Sequence, residues 1–233
     1  AGVTFALQSS DESAADPLLM AAYAGRSGLG SDAALRAVGS DPVGSGLVQS
    51  FAKPGGRLTG VQYSTTDLTG KRLEILKETL PKLSRVVTIY NPNNRIAVEA
   101  AALARQAGKQ FGIQLVERHA TSVEELRQRL GALKAKEADA YFYTSDAMVT
   151  SQAQLVIDMA TSKKLPTMFS EQSLVAMGGL ASYGQNFHEV GRLSAKYVQK
   201  IMTGAHPQDL RIGDAQRLRP LRLQAWLGAV PVA

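Results

Sequence analysis

The chain has 233 residues and a mass of 24.8 kDa, enough for one large domain or two small ones. Hydrophobic residues make up 45% and charged residues 20%, which argues for a packed core and against disorder, and no apolar run reaches the roughly 18–20 residues that span a bilayer. Lys and Arg number 26 against 20 Asp and Glu, a net charge of +6, and the absence of cysteine excludes a disulfide scaffold, a cysteine-bound zinc and a thiol nucleophile.

The opening AGVTFALQSSDE lacks the basic start and long apolar stretch of a signal peptide. The expectation is a chain that begins after a removed leader. VTFAL (3–7) reads as a strand and DPLLMAAYAG as a short helix. GRSGLGSD (25–32) is a flexible Gly-rich loop that does not match GxGxxG. LRAVGS (35–40) is a weak strand interrupted by Arg36.

From residue 58 strand and helix signals alternate. LTGVQY (58–63), RVVTIY (85–90), IQLVERHA (113–120), ADAYFYT (138–144), LPTMFS (165–170) and GLASYG (179–184) are the six strands expected there. Helices are expected over 67–80, 95–111, 122–137, 148–164, 173–177 and 187–204. Pro81 stops the first, and Ser122 with Glu125 makes a capping box for the third. This alternation predicts βαβ units: an α/β fold with parallel sheets flanked by helices. The outer pieces could combine into a second lobe. The expected division is 1–57 plus 190–233 as an incomplete first lobe, and 58–189 as a contiguous doubly wound second lobe.

The charge is uneven. Residues 191–233 hold seven basic residues (Arg192, Lys196, Lys200, Arg211, Arg217, Arg219, Arg222) against Asp209 and Asp214. In RLRPLRL the arginines alternate with leucines, which reads as an edge strand with a solvated face. No nucleic-acid-binding signature accompanies them, so no nucleic-acid partner is expected. His119, His188 and His206 lack metal-ligand spacing, and no GxSxG or GxxxxGK[ST] occurs. No metal, cofactor or catalytic residue is expected.

Ligands of open α/β sheets bind outside the carboxyl ends of the strands. Those ends carry Ser40, Asp41, Tyr63, Asn91, Asn94, Ser145, Asp146, Glu171 and Tyr183. The set suits a small zwitterion: Asp146 or Glu171 for an ammonium group, the Asp41 and Asn91 loops for a carboxylate, Tyr63 and Tyr183 for walls. Asn91, Asn94, Ser145 and Asp146 are equally suited to helix capping. Tyr90 and Tyr143 lie within buried-looking strands and read as core.

DPVGSGLVQSFAKPGGRLTGV (41–61), LTGKRLEILKETLPKLSRVVTIYNPNN (68–94), LPTMFSEQSLVAMGGLASYGQN (165–186) and YVQKIMTGAHPQDL (197–210) together resemble the substrate-binding proteins of ABC transporters, the tryptophan- and tyrosine-binding kind. The resemblance implies a type I periplasmic-binding-protein-like fold of two Rossmann-like lobes. These would close on an amino acid, aromatic by preference, and present it to a membrane permease outside the cytoplasm, in the periplasm of a two-membrane cell. It places the cleft loops on Ser40, Asp41, Asn91, Asn94, Ser145, Asp146, Glu171 and Tyr183. ALRAVGS stands where the family has a strand of the I-P-I-V-F type, and about 40 residues precede Asp41. The first lobe is therefore expected to be shortened. The alternatives are a ligand-sensing domain of a receptor or regulator and an α/β hydrolase-type enzyme.

Overall fold

A computed structural model of the chain describes residues 3–7, 33–38, 43, 48–56, 58–62, 66–134, 136–185 and 187–214. The strands are β1 (Val3–Leu7), β2 (Ala33–Val38), β3 (Leu58–Gln62), β4 (Arg85–Tyr90), β5 (Gln114–His119), β6 (Ala140–Phe142), β7 (Thr167–Phe169), β8 (Ala181–Ser182) and β9 (Gly213–Asp214). The helices are α1 (Thr69–Thr79), α2 (Arg95–Phe111), α3 (Val123–Gly131), α4 (Ala147–Ser151), α5 (Ala153–Ser162), α6 (Gln172–Ala176) and α7 (Phe187–Met202). The described residues fall into two units, one up to Gln62 and from Gln185 onward, the other from Thr66 to Gly184.

In the contiguous unit, five parallel strands run in the order β5-β4-β6-β7-β8. The β-branched run of β4 is buried from Val86 to Tyr90, as a central parallel strand requires. Its side chains alternate between two cores. Val87 and Ile89 join Leu126 and Leu130 of α3, Val156 and Ile157 of α5, and Tyr141, Tyr143 and Phe169. Val86 joins Leu73 and Leu76 of α1, Ala104 of α2, and Phe142 and Met168. Each fully buried Leu, Val or Phe contributes about 1.5–3 kcal/mol. Helix α2 buries only small residues, Ala97, Ala100, Ala101, Ala104, Ala107 and Gly108, which lets α1 and β4 approach closely. Gly112 ends α2 in the left-handed region at φ 66°, where a side chain would be strained.

In the other unit the parallel order is β1-β2-β3-β9. Val61 of β3 packs with Val190, Tyr197 and Ile201 of α7. The Tyr197 hydroxyl donates to Arg211 O at 2.7 Å, Thr59 Oγ1 donates to Leu210 O at 2.8 Å, and Ile212 N–H donates to Phe51 O at 2.7 Å. These three bonds hold the segment leading into β9.

Several expectations meet a different outcome. Leu58–Gln62 pairs with β2 and β9, so the contiguous unit has five strands rather than six. The helix expected over 148–164 is two, α4 and α5, meeting at Gln152. Thr150 Oγ1 donates to Asp146 O and Ser151 Oγ to Met148 O, so hydroxyls compete with the helical ladder there. Ser122 caps α3 by accepting from Glu125 N–H, but the Glu125 carboxylate reaches back to Thr121 N–H, one residue before the cap. The segments DPLLMAAYAG, GRSGLGSD and RLRPLRL lie outside the described residues.

Asp139 anchors the start of β4. Its Oδ2 accepts from Ser84 N–H (2.8 Å), Ser84 Oγ (2.9 Å) and Arg85 N–H (2.8 Å). Burial works to raise this carboxyl, but the Ser84 and Arg85 donors outweigh it and hold it below its ordinary value. A depressed carboxyl stabilises the fold above its unfolded value, and the benefit is lost as pH falls through its folded value. Asp139→Asn should therefore cost about 1 kcal/mol at pH 7 in urea melts. The gap from the wild type should close as pH falls below the ordinary carboxylate range.

Candidate functional site

The order β5-β4-β6-β7-β8 has a switch point. Strand β4 is followed in the chain by its neighbour on one side, β5, and β6 lies on its other side. Loops at the carboxyl ends of β4 and β6 therefore diverge, which leaves a crevice in folds of this kind.

The loop after β4 is built by two asparagines. Asn91 Oδ1 accepts from Asn93 N–H at 2.9 Å, closing a turn. Asn94 caps α2, its Oδ1 accepting from Ile96 N–H (3.1 Å) and Ala97 N–H (3.3 Å).

Strand β6 stops at Phe142 because the chain turns sharply three residues on. Ser145 is left-handed at φ 52°, which costs a non-glycine residue about 1–2 kcal/mol. It is only 4% exposed, and its Oγ has no hydrogen-bond partner among the described residues. Thr144 is buried, its hydroxyl paired with that of Thr88 on β4 at 2.9 Å. The Tyr143 hydroxyl lies 3.1 Å from Asp146 O and also shares a hydrogen bond with the Thr150 hydroxyl. Burial pushes the Tyr143 phenol far above its ordinary value. Tyr90 and Tyr143 are both core, as expected.

Asp146 ties the two loops together. Its Oδ1 accepts from Val149 N–H (3.1 Å) and caps α4. Its Oδ2 accepts from Asn91 N–H (3.0 Å) and from Asn94 Nδ2 (3.3 Å) across the switch point. None of its surface is exposed. Both Asp146 oxygens and both ends of the Asn94 amide are thus engaged within the chain.

Glu171 differs. It stands at the cap position of α6 but makes no capping bond. It is partly buried, and its carboxylate has no hydrogen-bond or ion-pair partner among the described residues. Burial alone raises its carboxyl above the ordinary value.

Tyr183 follows β8. Its N–H donates to Phe169 O at 3.1 Å, and its half-buried ring packs against the core containing Leu73, Phe142 and Met168. The next residue, Gly184, lies so close to the β7 exit that a Cβ would sit 1.8 Å from Ser170 O. Only glycine fits there.

The structure thus brings Asn91, Asn94, Ser145, Asp146, Glu171 and Tyr183 to the loops at one end of a single sheet. Ser40, Asp41 and Tyr63 lie outside the described residues. Among those described, no group of three His, Asp or Glu side chains is placed to hold a metal. Sequence reasoning missed Arg72, which is fully buried on α1 with Nη2 donating to Thr69 Oγ1 at 2.9 Å. The signal was there: Thr69-x-x-Arg72 puts both on the face that also buries Leu73 and Leu76.

The profile of the family described as ABC transporter substrate binding protein matches residues 34–221. This chain belongs to that family. It is 28% identical over 177 residues to a tyrosine-binding protein of Clostridioides difficile, which covers 74% of this chain and 49% of that protein. A conserved domain protein of Vibrio cholerae has a similar structure, with TM-score 0.70 and 27% identity, over 83% of this chain and 63% of that one. So has an ABC domain from Streptococcus pneumonia in complex with L-Trp, with TM-score 0.67 and 23% identity, over 78% of this chain and 61% of that one. The chain spans about half the length of the first relative and under two thirds of the two structures. Its parallel α/β sheets and these likenesses give it a type I periplasmic-binding-protein-like fold. The family consists of substrate-binding proteins rather than enzymes. No described helix is long and apolar enough to cross a membrane.

The Asp146 tie has a measurable consequence. In Asp146→Asn an amide nitrogen would face donors that now meet carboxylate oxygens. The variant should lose about 2–3 kcal/mol in chemical denaturation.

Proposed function

We propose that this chain is an extracytoplasmic solute-binding protein of an ABC importer, handing a small zwitterion such as an amino acid to a membrane permease. In a two-membrane cell it would work in the periplasm. The observation that carries the reading is the Glu171 carboxylate, partly buried and without a partner among the described residues at the carboxyl end of β7. A desolvated carboxylate without a counter-charge is costly until a cation meets it. A ligand ammonium supplies that charge. The nearby Ser145 hydroxyl, buried without a partner, offers a further hydrogen bond.

The proposed set is Glu171 for the ammonium group, with Ser145 and the Asn91 side-chain amide for neighbouring polar atoms and Tyr183 as a wall. Ser40, Asp41 and Tyr63, which the family resemblance and strand-end positions also suggest for the ligand, with the Asp41 loop for the carboxylate, lie outside the described residues. Asn94 and Asp146 hold these loops from beneath. An aromatic amino acid is favoured because the relatives include a tyrosine-binding protein and a structure holding L-Trp.

A thermal-shift panel of the twenty amino acids tests the reading. A ligand at 100 times its dissociation constant should stabilise by about 2.7 kcal/mol. Tyrosine and tryptophan should head the panel, and no shift with any amino acid would sink the proposal.

Glu171→Gln should separate stability from binding. A carboxyl raised by burial leaves the fold most stable below its unfolded value, and that stability is lost as pH rises through its folded value. The glutamine removes this loss. Without ligand, the variant should melt above the wild type at pH 7, and the advantage should vanish in acid. Its affinity for the ligand should fall about tenfold to a hundredfold by calorimetry.

A further inference from the structure

Among the described residues the chain passes between its two units twice, between Gln62 and Thr66 and again between Gly184 and Gln185. Both connections adjoin residues held by Arg72. On the entering side, Thr69 N–H donates to Thr66 O at 2.9 Å, forming the first turn after the connection. Thr69 is fully buried, and its hydroxyl accepts from Arg72 Nη2 at 2.9 Å. On the leaving side, Tyr183 O accepts from Arg72 Nη1 at 3.4 Å, the long end of hydrogen bonding. Gly184 then rests on Ser170 O.

Arg72 has no exposed surface, and burial pushes its pKa down to about 10, so it stays charged at neutral pH. Burying a cation is costly, and an aliphatic side chain fills similar space without that cost. What an aliphatic residue lacks is a rigid fork with two donors aimed at separate acceptors. Here the two acceptors belong to segments more than one hundred residues apart, 111 between Arg72 and Tyr183.

We propose that Arg72 is a positioning residue that fastens the first helical turn of the contiguous unit, at Thr69, and its last stretch, at Tyr183, to one point, so that loosening one loosens the other. Any effect on ligand affinity rests on the binding function proposed above. The fastening itself does not.

The test is hydrogen exchange on the full chain. Thr69→Val removes the hydroxyl acceptor and leaves Arg72 and Tyr183 unchanged. The amides to follow are Tyr183 N–H, bonded to Phe169 O, and Leu180 N–H, bonded to Thr167 Oγ1. Exchange at both should rise about threefold or more, the coupling expected of residues in one network. Amides of Val87 and Phe142 in the sheet centre should not change. Arg72→Lys keeps the charge but not the fork, and should loosen both segments. Added to Arg72→Lys, Thr69→Val should have little further effect at Tyr183.

The proposal is overturned by a change confined to the Thr69 turn, by additive effects of the two substitutions, or by an equal rise at Val87 and Phe142. The same variants titrated with L-tyrosine and L-tryptophan should bind about threefold or more weakly, in unchanged rank. A wild type that binds neither amino acid would end the functional reading and leave the exchange result to decide on Arg72.

Discussion

A single buried carboxylate organises the end of the sheet where the candidate site lies. Strands β4 and β6 are neighbours, yet the chain leaves them for opposite sides. Nothing in a parallel ladder holds the diverging loops together. Asp146 does so, accepting from Asn91 N–H and Asn94 Nδ2 on one side and Val149 N–H on the other. The Thr88–Thr144 hydroxyl pair adds a second tie just below. These bonds engage Asp146 within the chain, whereas Glu171 makes no capping bond and the Ser145 hydroxyl has no partner among the described residues.

The division of labour between the two acids follows from their surroundings. Asp146 is surrounded by donors, and both of its oxygens accept hydrogen bonds. Glu171 caps a helix in position only, without the bond, and burial disfavours its charge. Protein folding alone gives no reason for such a group. The proposed binding function does, because a ligand ammonium would complete the pairing.

Much of the fold was legible. The helix over 95–111 was read to its observed bounds, since an alanine face, an asparagine cap and a terminal glycine agree on it. The buried runs of β4 and β6 were legible because strands covered on both faces are apolar throughout. Strand β3 was recognised as a strand but placed in the wrong sheet. Of its partners, β2 precedes it in the chain and β9 lies about 150 residues on, and pairing leaves no local mark. The break at Gln152 was missed because a periodic apolar pattern does not register competing hydroxyls. For the site, the loops were legible as strand ends, but Asp146 and Glu171 looked alike on paper.

Composition and periodicity determined a parallel α/β protein, and the motifs at 41–61 and 165–186 pointed to its family, because local patterns carry secondary structure and turn chemistry. Which sheet each strand joins, which carboxylate is consumed and which is left, and where the Arg72 guanidinium reaches were decided only in three dimensions. The Asp146 bonds across the switch point and the Arg72 bond to Tyr183 join positions 52 to 111 residues apart, a separation no window along the chain can contain.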